Sequence, residues 1–200
     1  KNIIKNYESS NLISNFNNEK KDFEILKDAI LKQYEQLNIN ISQKKISDKS
    51  IENLLYIDLI KIIFPKAKFI YCKRNKYANF LGILKVFLPN LLWTHSTIKI
   101  IQMMNFYENK IKQLINEKKI KIKIIELEEL SNDPISVSKD LYNFLNLNWN
   151  EKILDNYNDD KNFIKTVSNL QVRKKISKHD LKYLDNYLPL LNNIGIKDLI

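Results

Sequence analysis

Glycine is nearly absent from this 200-residue sequence, which holds only Gly82 and Gly195. A loop that cradles a phosphate in backbone N–H groups is built from closely spaced glycines on a strand-to-helix turn. No GxxxxGK[ST] run occurs, which excludes a self-contained P-loop nucleotide enzyme such as a kinase. Cysteine occurs once, so no intramolecular disulfide can form, and a reducing, cytoplasmic setting is expected. Cys72 lies in an apolar run and is expected to be an inert core residue. The two histidines, His95 and His179, fall in a loop and at a lysine-rich helix start, where a surface role outweighs general-base chemistry. No apolar run reaches the roughly 18 residues of a membrane span, and the start KNIIKNYESS lacks the apolar core of a signal peptide.

Against these absences stands a hydrophobic content of 44%, enough to bury the core of a single domain. The net charge of +10 is compatible with nucleic acid, an anionic membrane or a phosphorylated small molecule. There is no lysine-rich arm and no basic stripe interleaved with aromatics, so solvated lysine faces explain most of it. Of the 33 basic residues only Arg74 and Arg173 are arginine. Where lysine fills nearly every basic position, an arginine marks a place that needs a planar, always-charged, bidentate donor, such as a phosphate site.

Residues 1–18 are polar and asparagine-rich and read as a surface loop or frayed segment. Phe23, Leu26, Ile30, Tyr34 and Leu37 then recur at helical spacing, predicting an amphipathic helix over 19–37. A short strand is expected at Lys45–Ser47, followed by Asp48-Lys49-Ser50, with Ser50 as N-cap of a helix that Pro65 stops. The continuous apolar run Phe69-Ile70-Tyr71-Cys72 predicts a strand near 68–73 covered on both faces, ending in Lys73-Arg74-Asn75 and a helix over 77–87. Ser96 is expected to cap a long helix to about Lys118, and IKIKIIEL predicts a further strand near 120–126 that continues to Leu127. The acidic pair Glu128-Glu129 could suggest general acid/base work, and Pro134 suits the first turn of a helix to Leu145. A last helix is expected over about 178–188. This alternation predicts an α/β fold with a parallel sheet flanked by helices. Ligands in such sheets sit beyond the carboxyl ends of the strands, where Lys49 and Arg74 would converge on an anion.

The stretch DKSIENLLYIDLIKIIFPKAKFIYCKRN resembles the core of the sulfotransferases, particularly the bacterial ones fused to tetratricopeptide repeats and the tyrosylprotein sulfotransferases. Their pattern here is DKxPxNFxYxGLIxxxFPxAxxIxxxR. LEELSNDP, NFLNLNW and TVSNLQVR are similar to the later YEDLxxxP, FxGLxW and TASxxQVR segments, in the same order. The resemblance implies a P-loop NTPase-like sulfotransferase fold lacking its N-terminal strand and phosphosulfate loop, so that residues 1–200 form a single partial sulfotransferase domain. The family's glycine-rich loop, and the glutamate base of the tyrosylprotein branch, lie upstream of the helix at 19–37. The chain is therefore expected to be a C-terminal portion or fragment of such an enzyme.

The activity implied is transfer of a sulfuryl group from 3′-phosphoadenosine 5′-phosphosulfate (PAPS) to a hydroxyl or amine acceptor, with PAPS as co-substrate and no metal. Residue by residue, Lys49 matches the lysine that neutralises charge on the leaving sulfate's bridging oxygen, and Ser168 assists it. Arg74, Arg173 and Lys174 match the cations that hold the 3′-phosphate, and Gly82 stands where the family has a serine on that phosphate, eight residues after the arginine. Leu127 replaces a tyrosine that packs at the adenine in related sulfotransferases, and the resemblance implies a structural role for Glu128 and Glu129. Two readings compete. One is an inactive or incomplete sulfotransferase-like protein that at most binds 3′-phosphoadenosine 5′-phosphate (PAP). The other is a basic nucleic-acid-binding protein, whose affinity would fall steeply with salt and ignore a 3′-phosphate. Nucleotide and acceptor are the expected partners, with no nucleic acid and no transmembrane segment.

Overall fold

The computed structural model describes residues 20–36, 45–86, 88–117, 120–158, 176 and 181–193. The chain divides into two compact units, Lys1–Ala67 and Lys68–Ile200.

In the first unit, helix α1 (Lys20–Gln36) matches the amphipathic spacing, with Phe23, Leu26, Ile30 and Tyr34 half-buried along one stripe. It packs against α2 (Ile57–Ile63), whose Ile57 and Ile63 are buried. The expected strand at Lys45–Ser47 does not form: residues 45–50 are irregular and exposed. Its one apolar side chain, Ile46, is 38% exposed, and three residues with a single hydrophobe bury too little to offset chain ordering. The helix expected directly from Ser50 starts instead as a 3-10 turn, Ile51–Tyr56, before becoming α-helical. Ser50 occupies the N-cap position without capping through its side chain, because its hydroxyl is engaged by the Glu52 carboxylate. Phe64 then closes the helix, its N–H donating to the Ile60 carbonyl at 2.7 Å just before Pro65.

The second unit carries strands β1 (Phe69–Lys73) and β2 (Ile122–Glu126), paired in parallel from Phe69 opposite Ile122 to Lys73 opposite Glu126. Both expected strands are thus present and parallel. Between them run α3 (Lys76–Leu84) and α4 (Thr97–Asn116). Two short helices follow β2: α5 (Leu127–Asn132) and α6 (Pro134–Leu145). A 3-10 turn at Lys182–Asn186 leads into α7 (Leu188–Asn193), so the described part of the last helix expected over 178–188 is not a continuous α-helix; residues 178–180 lie outside the described residues. The fully buried centre joins Ala78 and Phe80 of α3 with Ile100 of α4, and Leu184 and Leu191 come in from the end of the chain. The α6 ends are set by side-chain chemistry. Asp133 caps it by accepting the Ser136 N–H at 3.0 Å, and Asn146 ends it in the left-handed region, which asparagine tolerates better than most residues.

Cys72 is exposed, which corrects the expected core role. Helix α6 covers that face of the sheet from the β2 side, where Lys123 pairs with Asp140, and it leaves Ile70 and Cys72 of β1 uncovered. Covering on both faces, expected from the apolar run, is likewise not seen at β1, and Ile124 on the opposite face is 43% exposed. Leu127 opens α5 and does not extend the strand. Among the described residues, no helix is long and apolar enough to cross a membrane.

Candidate functional site

The carboxyl end of β1 runs straight into the amino end of α3, and the turn between them is Arg74-Asn75. Asn75 builds it twice over. Its side chain accepts the Ala78 N–H at 3.1 Å, capping α3, and its own N–H donates to Glu128 Oε1 at 2.9 Å. The Glu128 carboxylate, from the first turn of α5, therefore ties the ends of the two strands together. This is a structural role, as expected. One residue earlier, Lys73 and Glu126 form an ion pair of 2.7 Å across the same strand ends, and that contact raises the Lys73 ammonium pKa.

Arg74 is half-buried, with its Nε shielded from solvent. Its Nη2 donates to the Tyr183 hydroxyl at 3.4 Å, and its Nη1 faces Gly82, where an added Cβ would stand 3.4 Å away. The position eight residues on, one α3 face along, thus does adjoin the guanidinium, with a backbone rather than a hydroxyl. Lys85 completes the cluster, lying 5.4 Å from the Tyr183 ring centre and 4.9 Å from that of Tyr187. Chemically the turn offers a planar cation, the amino end of a nine-residue helix capped by Asn75, and a phenol, groups whose charge suits a phosphate or sulfate.

A second electrostatic group supports α3 from α4. Glu108 bridges Lys76 at 2.9 Å and Lys112 at 3.2 Å. Lys76 above all holds the Glu108 carboxyl below its usual range. Tyr71 of β1 is pushed up, first by burial and then by the Glu108 charge.

In the first unit, Lys49 is exposed on the irregular segment. Its turn is organised by its neighbour: Asp48 accepts the Ser50 N–H at 2.9 Å and the Tyr34 hydroxyl at 3.2 Å. The Ser50 N–H leads in lowering the Asp48 carboxyl, while Tyr34, partly buried beside that charge, is raised. Ser168, Arg173, Lys174 and His179 lie outside the described residues. His95 is exposed at the end of a 3-10 turn, its Nε2 within 3.2 Å of the Leu88 carbonyl.

Sequence reasoning missed Tyr183, Asn75 and Asp48. Asn75 and Asp48 carry the ordinary signals of an N-cap and an Asx turn. Tyr183 reaches Arg74 across 109 residues, and nothing in its own neighbourhood announces that.

A family model described as "Sulfotransferase family" matches residues 4–151, most of the chain and the whole β1–Arg74–α3 turn. The chain belongs to the sulfotransferase family. It is also 28% identical over 169 residues to an uncharacterized protein of Aquifex aeolicus (strain VF5), a match that covers 78% of this chain. The same match covers 22% of that relative, so this sulfotransferase-family chain spans a minor part of the relative's length.

Proposed function

We propose that the chain acts in sulfuryl transfer from PAPS to a hydroxyl or amine acceptor, and that Arg74 holds the donor's 3′-phosphate. The observation that carries this reading is the β1–α3 turn. A half-buried guanidinium, the amino end of α3 and the Tyr183 hydroxyl meet there at the carboxyl end of a parallel strand. The donor set fits a phosphate in charge: bidentate arginine suits its oxygens, and Gly82 puts no side chain of its own beside Nη1.

PAPS supplies an activated sulfuryl group, whose in-line transfer is favoured mainly by positioning and by neutralising charge on the leaving oxygen. Lys49 is the proposed donor to that oxygen, with Ser168 assisting. Arg173 and Lys174 join Arg74 on the 3′-phosphate. Within the family, the motifs favour the branch that includes tetratricopeptide-fused and tyrosylprotein enzymes. With only two glycines in 200 residues, the chain itself holds no glycine-rich loop for the 5′-phosphosulfate, so it is expected to bind nucleotide without turning over.

The test is thermal shift with PAP against adenosine 5′-phosphate. A ligand specific for the folded state adds about 2.7 kcal/mol at a hundredfold excess over Kd, so even a weak site registers at millimolar nucleotide. PAP is expected to stabilise the protein well beyond adenosine 5′-phosphate, and Arg74→Ala is expected to remove most of the difference. Equal shifts from the two nucleotides would refute the 3′-phosphate assignment.

A further inference from the structure

Tyr183 and Gly82 adjoin different nitrogens of the Arg74 guanidinium. On the Nη1 side of the guanidinium, α3 presents Gly82, which has no side-chain hydroxyl to offer. On the Nη2 side stands the Tyr183 hydroxyl, at 3.4 Å. Both groups are half-buried. The direction of the contact matters. Arginine can only donate, so the phenol oxygen accepts and its own proton remains available to a second acceptor. The contact is longer than the usual 2.9 Å or so, leaving the phenol able to reorient toward a bound oxygen. The ring is held by more than this one bond: Lys85 lies over it, and the following residue, Leu184, is buried in the core.

We propose that the Tyr183 hydroxyl is a direct ligand of the anion held by Arg74, donating its proton to a phosphate oxygen. It thereby sets the preference for a 3′-phosphorylated nucleotide. The inference rests on the reading of Arg74 as a 3′-phosphate site and assigns that site a second side chain from the far end of the chain.

Tyr183→Phe removes only the hydroxyl and keeps the ring beneath Lys85. Titrations of the full chain with PAP and with adenosine 5′-phosphate, followed by calorimetry, give two affinities for each variant. Tyr183→Phe is expected to weaken PAP about tenfold and to leave adenosine 5′-phosphate unchanged, since one hydrogen bond to a charged group is lost. Several outcomes overturn the proposal. Unchanged PAP affinity in Tyr183→Phe, alongside its loss in Arg74→Ala, removes Tyr183 from the site and leaves Arg74 in it. Equal weakening of both nucleotides makes the tyrosine merely structural. Tighter PAP binding makes the phenol a competitor for Arg74, not a ligand. If the unmodified chain shows no preference for PAP, the Arg74 reading falls and takes this proposal with it.

Discussion

The Glu128 carboxylate accepts the backbone N–H of Asn75 at 2.9 Å, joining the residue that caps α3 to the first turn of α5. This bond holds the turn that carries Arg74 and does so without touching the guanidinium. Glu128→Ala strands a partly buried N–H and is expected to cost roughly 1–2 kcal/mol, read as a lower urea midpoint at unchanged slope. Glu128→Gln keeps an acceptor oxygen and should lose less than half of that.

Gly82 sits inside α3, where glycine is destabilising by roughly 0.5–1 kcal/mol relative to alanine. The Cβ of an alanine would meet Arg74 Nη1 at 3.4 Å, an ordinary contact. Gly82→Ala is therefore expected to raise Tm by a few degrees. Gly82→Ser should gain less stability but bring a hydroxyl to the guanidinium and tighten PAP. A fall in Tm for both variants would mean that α3 cannot accept any side chain at this position.

Asp48 and Lys49 are adjacent and should behave oppositely. Asp48 takes the Tyr34 hydroxyl and the Ser50 N–H, so Asp48→Ala is expected to destabilise the first unit by about 1–2 kcal/mol. Lys49 is exposed, and Lys49→Ala should change stability by no more than about 0.5 kcal/mol. Chemical denaturation of the two variants separates a residue that shapes the turn from one that the turn displays.

Glu108 gives the fold an acid-sensitive element. Its carboxyl is held below the ordinary value of 4.5, chiefly by Lys76. The unfolded chain therefore takes up this proton first, and the stabilisation is present above pH 4.5 and lost as pH falls through the lower folded value. Tm measured from about pH 6 down to about pH 3 is expected to fall less steeply for Lys76→Met than for the unmodified protein. Parallel curves would show that the bridge contributes nothing to the pH dependence.

Cys72 is exposed on β1, so a thiol reagent such as Ellman's should label the folded protein at a rate comparable to that in denaturant. Labelling that requires unfolding would restore the core role expected from the sequence.

The sequence spoke most clearly where many residues repeat one message. The apolar stripe of α1, the long α4 and the two β strands were all legible, the helices because they sustain a 3.6-residue period and the strands because their apolar runs are short and rich in β-branched and aromatic residues. Lys45–Ser47 was misread because a single isoleucine carries no period. The outer face of β1 was misread for a different reason: an apolar run reports what a strand could bury, whereas Cys72 shows what the neighbouring layer covers. At the site, Arg74 was conspicuous by its rarity, and Gly82 stood out only through the resemblance to the sulfotransferase pattern. Tyr183 was illegible because its role depends on a contact between distant segments, and one tyrosine among ten carries no distinguishing mark.

The two clasps across the strand ends, Lys73 to Glu126 and Asn75 to Glu128, each span 53 residues. Pairing β1 with β2 thus closes a long loop, at a chain-entropy cost on the order of 3–4 kcal/mol, and it waits on the helices in between to shorten the search. Because both clasps have the same sequence separation, one alignment of the strands satisfies them together. A slip of a single residue breaks both and turns the side chains of the strand to the opposite face. Registry is therefore proofread at the end of the sheet where Arg74 emerges, so a misaligned chain loses its stability and the turn that holds Arg74 in the same stroke.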